Sequence, residues 1–282
     1  MLTTLVSASQ LADLASDNIV ILDCRHSLAD PRYGEQAYAV AHIHGAHFVH
    51  LNRDLSGPCT GKNGRHPLPD IGRLASLFGH IGITADKQVI AYDDAGGMFA
   101  ARAWWLLRWL GHEAVAVLDG GWQAWQQAQG QIDGLQPNRS GSQFLLRPAL
   151  EQVVNAATVL QQLSQPDLCL IDARAPNRFA GQDETLDPVG GHIPRAKNRF
   201  FQHNLTGEGK FKPLSELREE WQAYLTPHTA KQAIHQCGSG VTACHNLLAL
   251  AHLGWHGGRL YAGSWSEWCS DPSRPIATGT AA

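Results

Sequence analysis

Ile234-His235-Gln236-Cys237-Gly238-Ser239-Gly240-Val241-Thr242-Ala243-Cys244-His245 is the stretch on which the reading of this chain turns. A short apolar run from Ala233 leads into Cys237, two glycines flank a serine, and a helical apolar pattern runs from Val241 through Leu253. Strand, tight small-residue loop and helix, in that order, put a thiol at the carboxyl edge of a parallel sheet, where such sheets bind ligands. Glycines let successive N–H groups turn toward one atom, and such a nest at a helix N-terminus favours negative charge. A sulfur held there is expected to be a nucleophile, so Cys237 is the candidate working residue.

Working outward, the chain repeats itself. Ile19-Val20-Ile21-Leu22-Asp23-Cys24-Arg25 recurs as Leu168-Cys169-Leu170-Ile171-Asp172-Ala173-Arg174. Ala41-His42-Ile43-His44-Gly45-Ala46 recurs as Gly191-His192-Ile193-Pro194-Arg195-Ala196, and Gly121-Trp122-Gln123-Ala124-Trp125 as Ser264-Trp265-Ser266-Glu267-Trp268. The offsets are 172 − 23 = 149, 192 − 42 = 150 and 265 − 122 = 143. Three motifs in one order at near-constant spacing mean a duplicated domain.

Each half reads as α/β. In the first, Ser9–Ala15 is expected to be a short helix capped by Ser7 or Ser9. Ile19–Asp23, Val89–Tyr92 and Ala114–Leu118 read as strands, the first as a continuous apolar run of the doubly buried kind. Ile71–Gly79 and Phe99–Leu110 read as helices. In the second half, helices are expected near Gln152–Gln162, Ser215–Tyr224 and Val241–Leu253, and strands at Leu168–Ile171, Ala233–His235 and Arg259–Tyr261. Alternation of this kind implies a mainly parallel sheet flanked by helices. Pro137, Asn138, Ser140, Gly141 and Ser142 mark a linker. The expected division is a first domain over 1–133, a linker over 134–148 and a second domain over 149–282.

The repeat aligns Val89-Ile90-Ala91-Tyr92-Asp93 with Ala233-Ile234-His235-Gln236-Cys237, an offset of 237 − 93 = 144. The first domain therefore carries Asp93 where the second carries the thiol. A carboxylate cannot stand in for a thiol nucleophile, so the first domain is expected to be catalytically inactive. No phosphatase-type Asp-x-Asp-x-Thr pattern surrounds Asp93.

Composition narrows the classes further. At 282 residues there is room for about two domains, each with its own core. Hydrophobic residues make up 44% and charged residues 17%, as in ordinary globular proteins. A net charge of −3 carries no basic footprint for nucleic acid or an acidic membrane surface. No apolar run approaches the ~18 residues of a membrane span, and the first residues do not resemble a signal peptide. Six cysteines, at 24, 59, 169, 237, 244 and 269, include no C-x-x-C pair, which suits reduced thiols and a cytoplasmic location. His42, His44, His47 and His50 lack a recognised metal-ligand spacing, so no metal is expected. Cys244 reads as core, and Cys59 as an exposed loop thiol.

Cys237-Gly238-Ser239-Gly240-Val241-Thr242-Ala243 resembles the active-site loop of the 3-mercaptopyruvate type within the rhodanese superfamily. The Asp-x-Arg strand ends, the His-Ile-x-x-Ala turns and the closing Trp-x-x-Trp extend the resemblance over nearly the whole chain. It implies two tandem rhodanese-like domains, each a mainly parallel five-stranded sheet flanked by helices. It also implies a sulfurtransferase without a cofactor, moving a sulfane sulfur from 3-mercaptopyruvate through a Cys237 persulfide to a thiol or cyanide. The N–H groups of Gly238, Ser239, Gly240, Val241 and Thr242 would hold the persulfide anion. Ser239 would protonate the departing enolate, supported by His42 and, with looser spacing, Asp30.

Arg178, in Asn177-Arg178-Phe179, matches the family's substrate arginine, suited to a planar carboxylate. Relatives place a second arginine just before the Gly-His-Ile-Pro turn, yet Gln182 to Gly190 contains none; Arg195 or Arg199 are the nearby substitutes. A small thiol protein such as thioredoxin is the acceptor the resemblance suggests.

Three other readings stay open at this point. Thiosulfate would be a better donor for a loop bearing cations, where this chain has Gly238 and Ser239. A cysteine phosphatase needs an arginine six places after the nucleophile, where this chain has Ala243. A non-catalytic thiol-bearing interaction module would take no sulfur at all.

Overall fold

The computed structural model describes residues 1–14, 18–137 and 141–280. Its chain divides into two compact units. The first comprises Met1–Gly57, Leu68–Leu150 and Gly207–Phe211; the second comprises Pro58–Pro67, Glu151–Thr206 and Lys212–Ala282. Each half thus lends a short segment to the other unit, which a division along the sequence does not anticipate. The segment expected to be a linker is counted with the first unit: Phe144 is buried against Phe78, and Ser142 N–H donates to the Gly79 carbonyl. Asn138 and Ser140 of that segment lie outside the described residues, as does Ala15 of the first expected helix.

In the first unit the elements are β1 (Leu5–Val6), α1 (Ala8–Ala12), β2 (Ile19–Asp23), α2 (Tyr33–Val40), β3 (His42–Ile43), β4 (His47–Phe48), α3 (Ile71–Ile81), β5 (Gln88–Tyr92), α4 (Ala100–Trp109), β6 (Val115–Leu118), α5 (Gly121–Gln127) and β7 (Ile132–Asp133). In the second they are β8 (Gln152–Val154), α6 (Ala156–Gln162), β9 (Cys169–Asp172), α7 (Pro176–Ala180), β10 (Lys197–Asn198), α8 (Leu214–Leu225), β11 (Ala233–Gln236), α9 (Thr242–His252), β12 (Arg259–Tyr261) and α10 (Ser264–Trp268). The sheets run β1-β6-β5-β2-β4 and β10-β9-β11-β12-β8, each with five strands paired in parallel. Reversing the second list aligns the two strand for strand. Duplication therefore holds at the level of topology, and β5 and β11 occupy equivalent central places.

The strands form where the apolar runs predicted them. Val89 to Tyr92 and all of β11 are buried, as expected of parallel strands covered on both faces. Helix α3 follows ordinary end rules: the Asp70 carboxylate accepts the Arg73 N–H, and Gly82 closes the helix at φ +97°. One expectation needs correction. Gln152–Val154, assigned to a helix, is the edge strand β8; helix α6 starts only after Asn155, whose side chain accepts the Thr158 N–H. Gln-Val-Val carries as much strand character as helix, and only pairing with β12 decides it. The two-residue strands β1, β4 and β10 were too short to carry any period of their own.

The three repeated motifs meet in space, once in each unit. Arg25 grips the Asp23 carboxylate, donates from Nη2 to the Ala41 carbonyl at 2.7 Å and lies 4.5 Å from the Trp122 ring centre. Arg174 does the same with Asp172, the Gly191 carbonyl at 2.8 Å and the Trp265 ring at 5.0 Å. A buried guanidinium that is paired and hydrogen-bonded ties strand end, turn and closing helix together. This is the physical reason the three motifs recur as a set.

Among the described residues no helix is long and apolar enough to cross a membrane. His235, in the middle of β11, is wholly buried with no hydrogen-bond partner for either ring nitrogen. Burial lowers its pKa to about 3. The unfolded chain then takes up this proton first as pH falls, so His235's contribution is complete above the ordinary histidine range and lost below it. Between pH 6.5 and pH 5 the expected loss of stability is about 2 kcal/mol. Urea unfolding at pH 7 and pH 5 checks this, and His235→Leu should flatten the difference. An unchanged pH dependence in that variant would contradict it.

Candidate active site

Cys237 follows β11 directly and is 2% exposed. Its loop is fixed from both sides. Cys237 N–H donates to Ser264 Oγ at 3.1 Å, while Trp265 N–H and Ser266 N–H donate to the carbonyls of Cys237 and Gly238 at 3.0 and 2.9 Å. Gly240 adopts φ +77°, and a Cβ there would stand 2.4 Å from the Ala262 carbonyl oxygen, so only glycine fits. That turn aims the Gly240 N–H at Cys237 Sγ, 3.1 Å away. Gly238, Val241 and Thr242 line the same loop, with Thr242 opening α9. Cys244 is buried and donates its S–H to the Gly240 carbonyl at 3.3 Å, so it belongs to the core.

The first unit shows what the same architecture does without sulfur. Asp93 follows β5 as Cys237 follows β11, and its carboxylate accepts four backbone N–H groups, from Ala95, Gly97, Phe99 and Ala100, at 2.7 to 2.9 Å. Its carbonyl accepts the Trp122 N–H at 2.8 Å, the counterpart of the Trp265 bond to Cys237. The nest survives in both units. In the first, its own carboxylate fills it.

Ser239 is 6% exposed, and its Oγ lies 2.7 Å from Nδ1 of His66. Sequence reading named His42 for this role and overlooked His66. His42 has other partners. Its ring stacks on Tyr38 at 3.8 Å, Nδ1 pairs with the Tyr38 carbonyl at 2.8 Å, and Nε2 pairs with the Leu135 carbonyl at 3.0 Å. His192, its counterpart in the repeat, stacks on Phe179 at 3.8 Å with Nδ1 at the Phe179 carbonyl. The repeated histidine thus holds a turn in both units. Asp30 is exposed and accepts the Arg32 N–H.

Two arginines flank the thiol loop. Arg178 is bound through Nε and Nη2 to Glu184, at 2.8 to 3.1 Å. Arg65, carried by the 58–67 segment, is bound through Nη1 to Asp187. Both carboxylates are nearly buried, 3% exposed, while the arginines are 20% and 27% exposed. Burial raises the Glu184 carboxyl, but the Arg178 bonds outweigh it and the net shift is downward. For Asp187, burial prevails over Arg65 and the shift is upward. Arg195 and Arg199 are occupied elsewhere: Arg195 with the carbonyls of Leu163, Gln165 and Pro166, Arg199 with Glu220 at 2.6 Å. Among the described residues no cluster of His, Cys, Asp and Glu could hold a metal ion.

A buried thiol under a backbone donor, beside a Ser–His pair and two guanidinium groups, suits transfer of a sulfur atom through the enzyme to an acceptor. Comparison with known proteins agrees. The rhodanese-like domain family matches residues 7–128 and 155–271. The chain is 48% identical over 278 residues to a probable 3-mercaptopyruvate sulfurtransferase of Pseudomonas aeruginosa, covering 98% of both chains. It is 38% identical over 280 residues to a putative thiosulfate sulfurtransferase of Mycobacterium tuberculosis, again covering 98% of each. The crystal structure of a 3-mercaptopyruvate sulfurtransferase from Escherichia coli superposes with a TM-score of 0.81 at 32% identity, covering 94% of this chain and 99% of that one. With matches to both halves and near-complete coverage of its relatives, the chain belongs to the rhodanese-like domain family, among its tandem two-domain sulfurtransferases.

Proposed function

We propose that this chain moves the sulfane sulfur of 3-mercaptopyruvate through a persulfide on Cys237 to a thiol or cyanide acceptor. The observation that carries the reading is the Ser239–His66 pair, 2.7 Å apart, two residues from the thiol. In the first step the Cys237 thiolate attacks the donor sulfur. An S–S bond forms, the donor's C–S bond breaks, and the electron pair leaves on carbon as the enolate of pyruvate. That enolate needs a proton. Ser239 O–H donates it, and His66, bonded through Nδ1, replenishes the serine. In the second step an acceptor thiolate attacks the outer sulfur, returning Cys237 as thiolate. The Gly240 N–H steadies charge on sulfur in both steps. A small thiol protein such as thioredoxin fits the acceptor role in the cytoplasm.

Donor choice tests the reading. 3-Mercaptopyruvate should give the higher kcat/KM, and a preference for thiosulfate would overturn it. Ser239→Ala sharpens the test, because sulfite leaves thiosulfate without needing a proton. With mercaptopyruvate, kcat should fall about 10²- to 10³-fold, and with thiosulfate it should stay within about threefold. Equal losses with both donors would remove Ser239 from proton transfer.

A further inference from the structure

We infer that Ser264 is a positioning residue for sulfur transfer that acts through Cys237: its hydroxyl fixes the Cys237 amide and with it the direction of the thiol. This rests on the reading of Cys237 as the sulfur carrier. Ser264 is wholly buried in the second unit and adopts φ +54°. That is the left-handed region, where a Cβ is crowded by the following carbonyl and glycine is preferred. Its counterpart in the repeat, at an offset of 264 − 121 = 143, is Gly121, with the same φ of +54°. The first unit thus makes this turn with the residue that suits it. There a Cβ would stand 2.1 Å from the Asp93 carbonyl oxygen, so no side chain fits. The second unit makes room for one and accepts the strain of holding it.

What the strain supports is a hydroxyl whose one proton has a fixed destination. Ser264 Oγ donates to the Tyr261 carbonyl at 2.9 Å, which leaves its lone pairs for the Cys237 N–H at 3.1 Å. That bond fixes the peptide plane before Cys237. The Trp265 N–H, 3.0 Å from the Cys237 carbonyl oxygen, fixes the plane after it. With both planes held, the Cα–Cβ bond of Cys237 has one direction, and it brings Sγ to the Gly240 N–H. Asp93 needs no such hold, because its carboxylate is aimed by the four N–H groups it accepts. A sulfur that must exchange partners during turnover cannot be aimed through its own bonds in this way, so its backbone has to aim it.

The test compares Ser264→Ala and Ser264→Gly with the parent, using mercaptopyruvate and thiosulfate in turn, well below their melting temperatures. Both variants lose the hydroxyl, but only glycine also relieves the turn. Ser264→Gly should therefore melt about 2–4 °C above Ser264→Ala. Even so, kcat should fall in both by about 10- to 100-fold, with KM within about threefold of the parent's. The factor should be the same for each donor the parent accepts, because the thiol is common to both, whereas Ser239→Ala separates the donors. A merely structural role gives a different order: activity would follow melting temperature, and Ser264→Gly would outperform Ser264→Ala. That order, or a kcat within about threefold of the parent in either folded variant, would overturn the inference; if one variant fails to fold, the other decides. A parent that takes sulfur from thiosulfate but not from mercaptopyruvate would overturn the donor reading alone, and the role of Ser264 is then read from the thiosulfate rates. A parent that takes sulfur from neither would overturn both.

Discussion

A Cys237→Ser chain is expected to fold as the parent does and to lose sulfur transfer by about 10⁴-fold or more, whichever donor is offered. The substitution changes one atom. The Gly240 N–H that points at Sγ can point equally at a hydroxyl oxygen, and the clamps from Ser264, Trp265 and Ser266 act on the backbone of 237 and 238. Stability should therefore change by less than about 1 kcal/mol. What disappears is the chemistry, because an alkoxide is not available near neutral pH and oxygen cannot carry a transferable sulfane sulfur. After donor treatment the parent should gain about 32 Da, one sulfur, on the peptide containing Cys237. Peptide-level mapping matters, because Cys59 is an exposed thiol while Cys237 is buried. A gain confined to Cys59, or turnover surviving in Cys237→Ser, would dismiss Cys237 as the sulfur carrier.

The second large effect concerns stability and lies in the half that carries Asp93 where the other carries the thiol. Asp93→Ala should cost about 4 kcal/mol. Four backbone N–H groups converge on that carboxylate in a site wholly closed to solvent. Alanine leaves all four without an acceptor, and each buried donor stranded in this way costs about 1–3 kcal/mol before the loop relaxes. Asp93→Asn keeps the shape but turns an amide NH₂ toward two donors, so it should lose about half as much. Urea unfolding followed by tryptophan fluorescence measures both. A loss below about 1 kcal/mol in Asp93→Ala would mean that the nest does not depend on its carboxylate. The comparison with Cys237 is direct: one fold builds an anion cradle twice, closes it with its own charge in the first unit and leaves a sulfur beneath it in the second.

Much of this was legible because it is local. The Asp-x-Arg strand ends, the His turns and the Trp pairs are contiguous motifs, and their fixed order alone implied duplication. The Cys237 loop announced itself through its glycines, since a backbone that must turn N–H groups onto one atom needs residues without a Cβ. The replacement of that thiol by Asp93 also followed from alignment of the halves. Other features left no such trace. Gln152–Val154 reads equally as helix or strand until β12 lies beside it.

What the sequence alone determined, then, is the duplicated α/β architecture and the half that carries the loop thiol proposed as the reactive atom. Tertiary structure decided which side chains surround that atom. His66 is 173 positions from Ser239 and Arg65 is 122 from Asp187, both in an irregular segment with neither helical nor strand period. Periodicity reports which face of an element is buried. It says nothing about which distant loop comes to rest against it. The same limit explains His42, which looked available beside its turn until its ring was found stacked on Tyr38 with both nitrogens occupied.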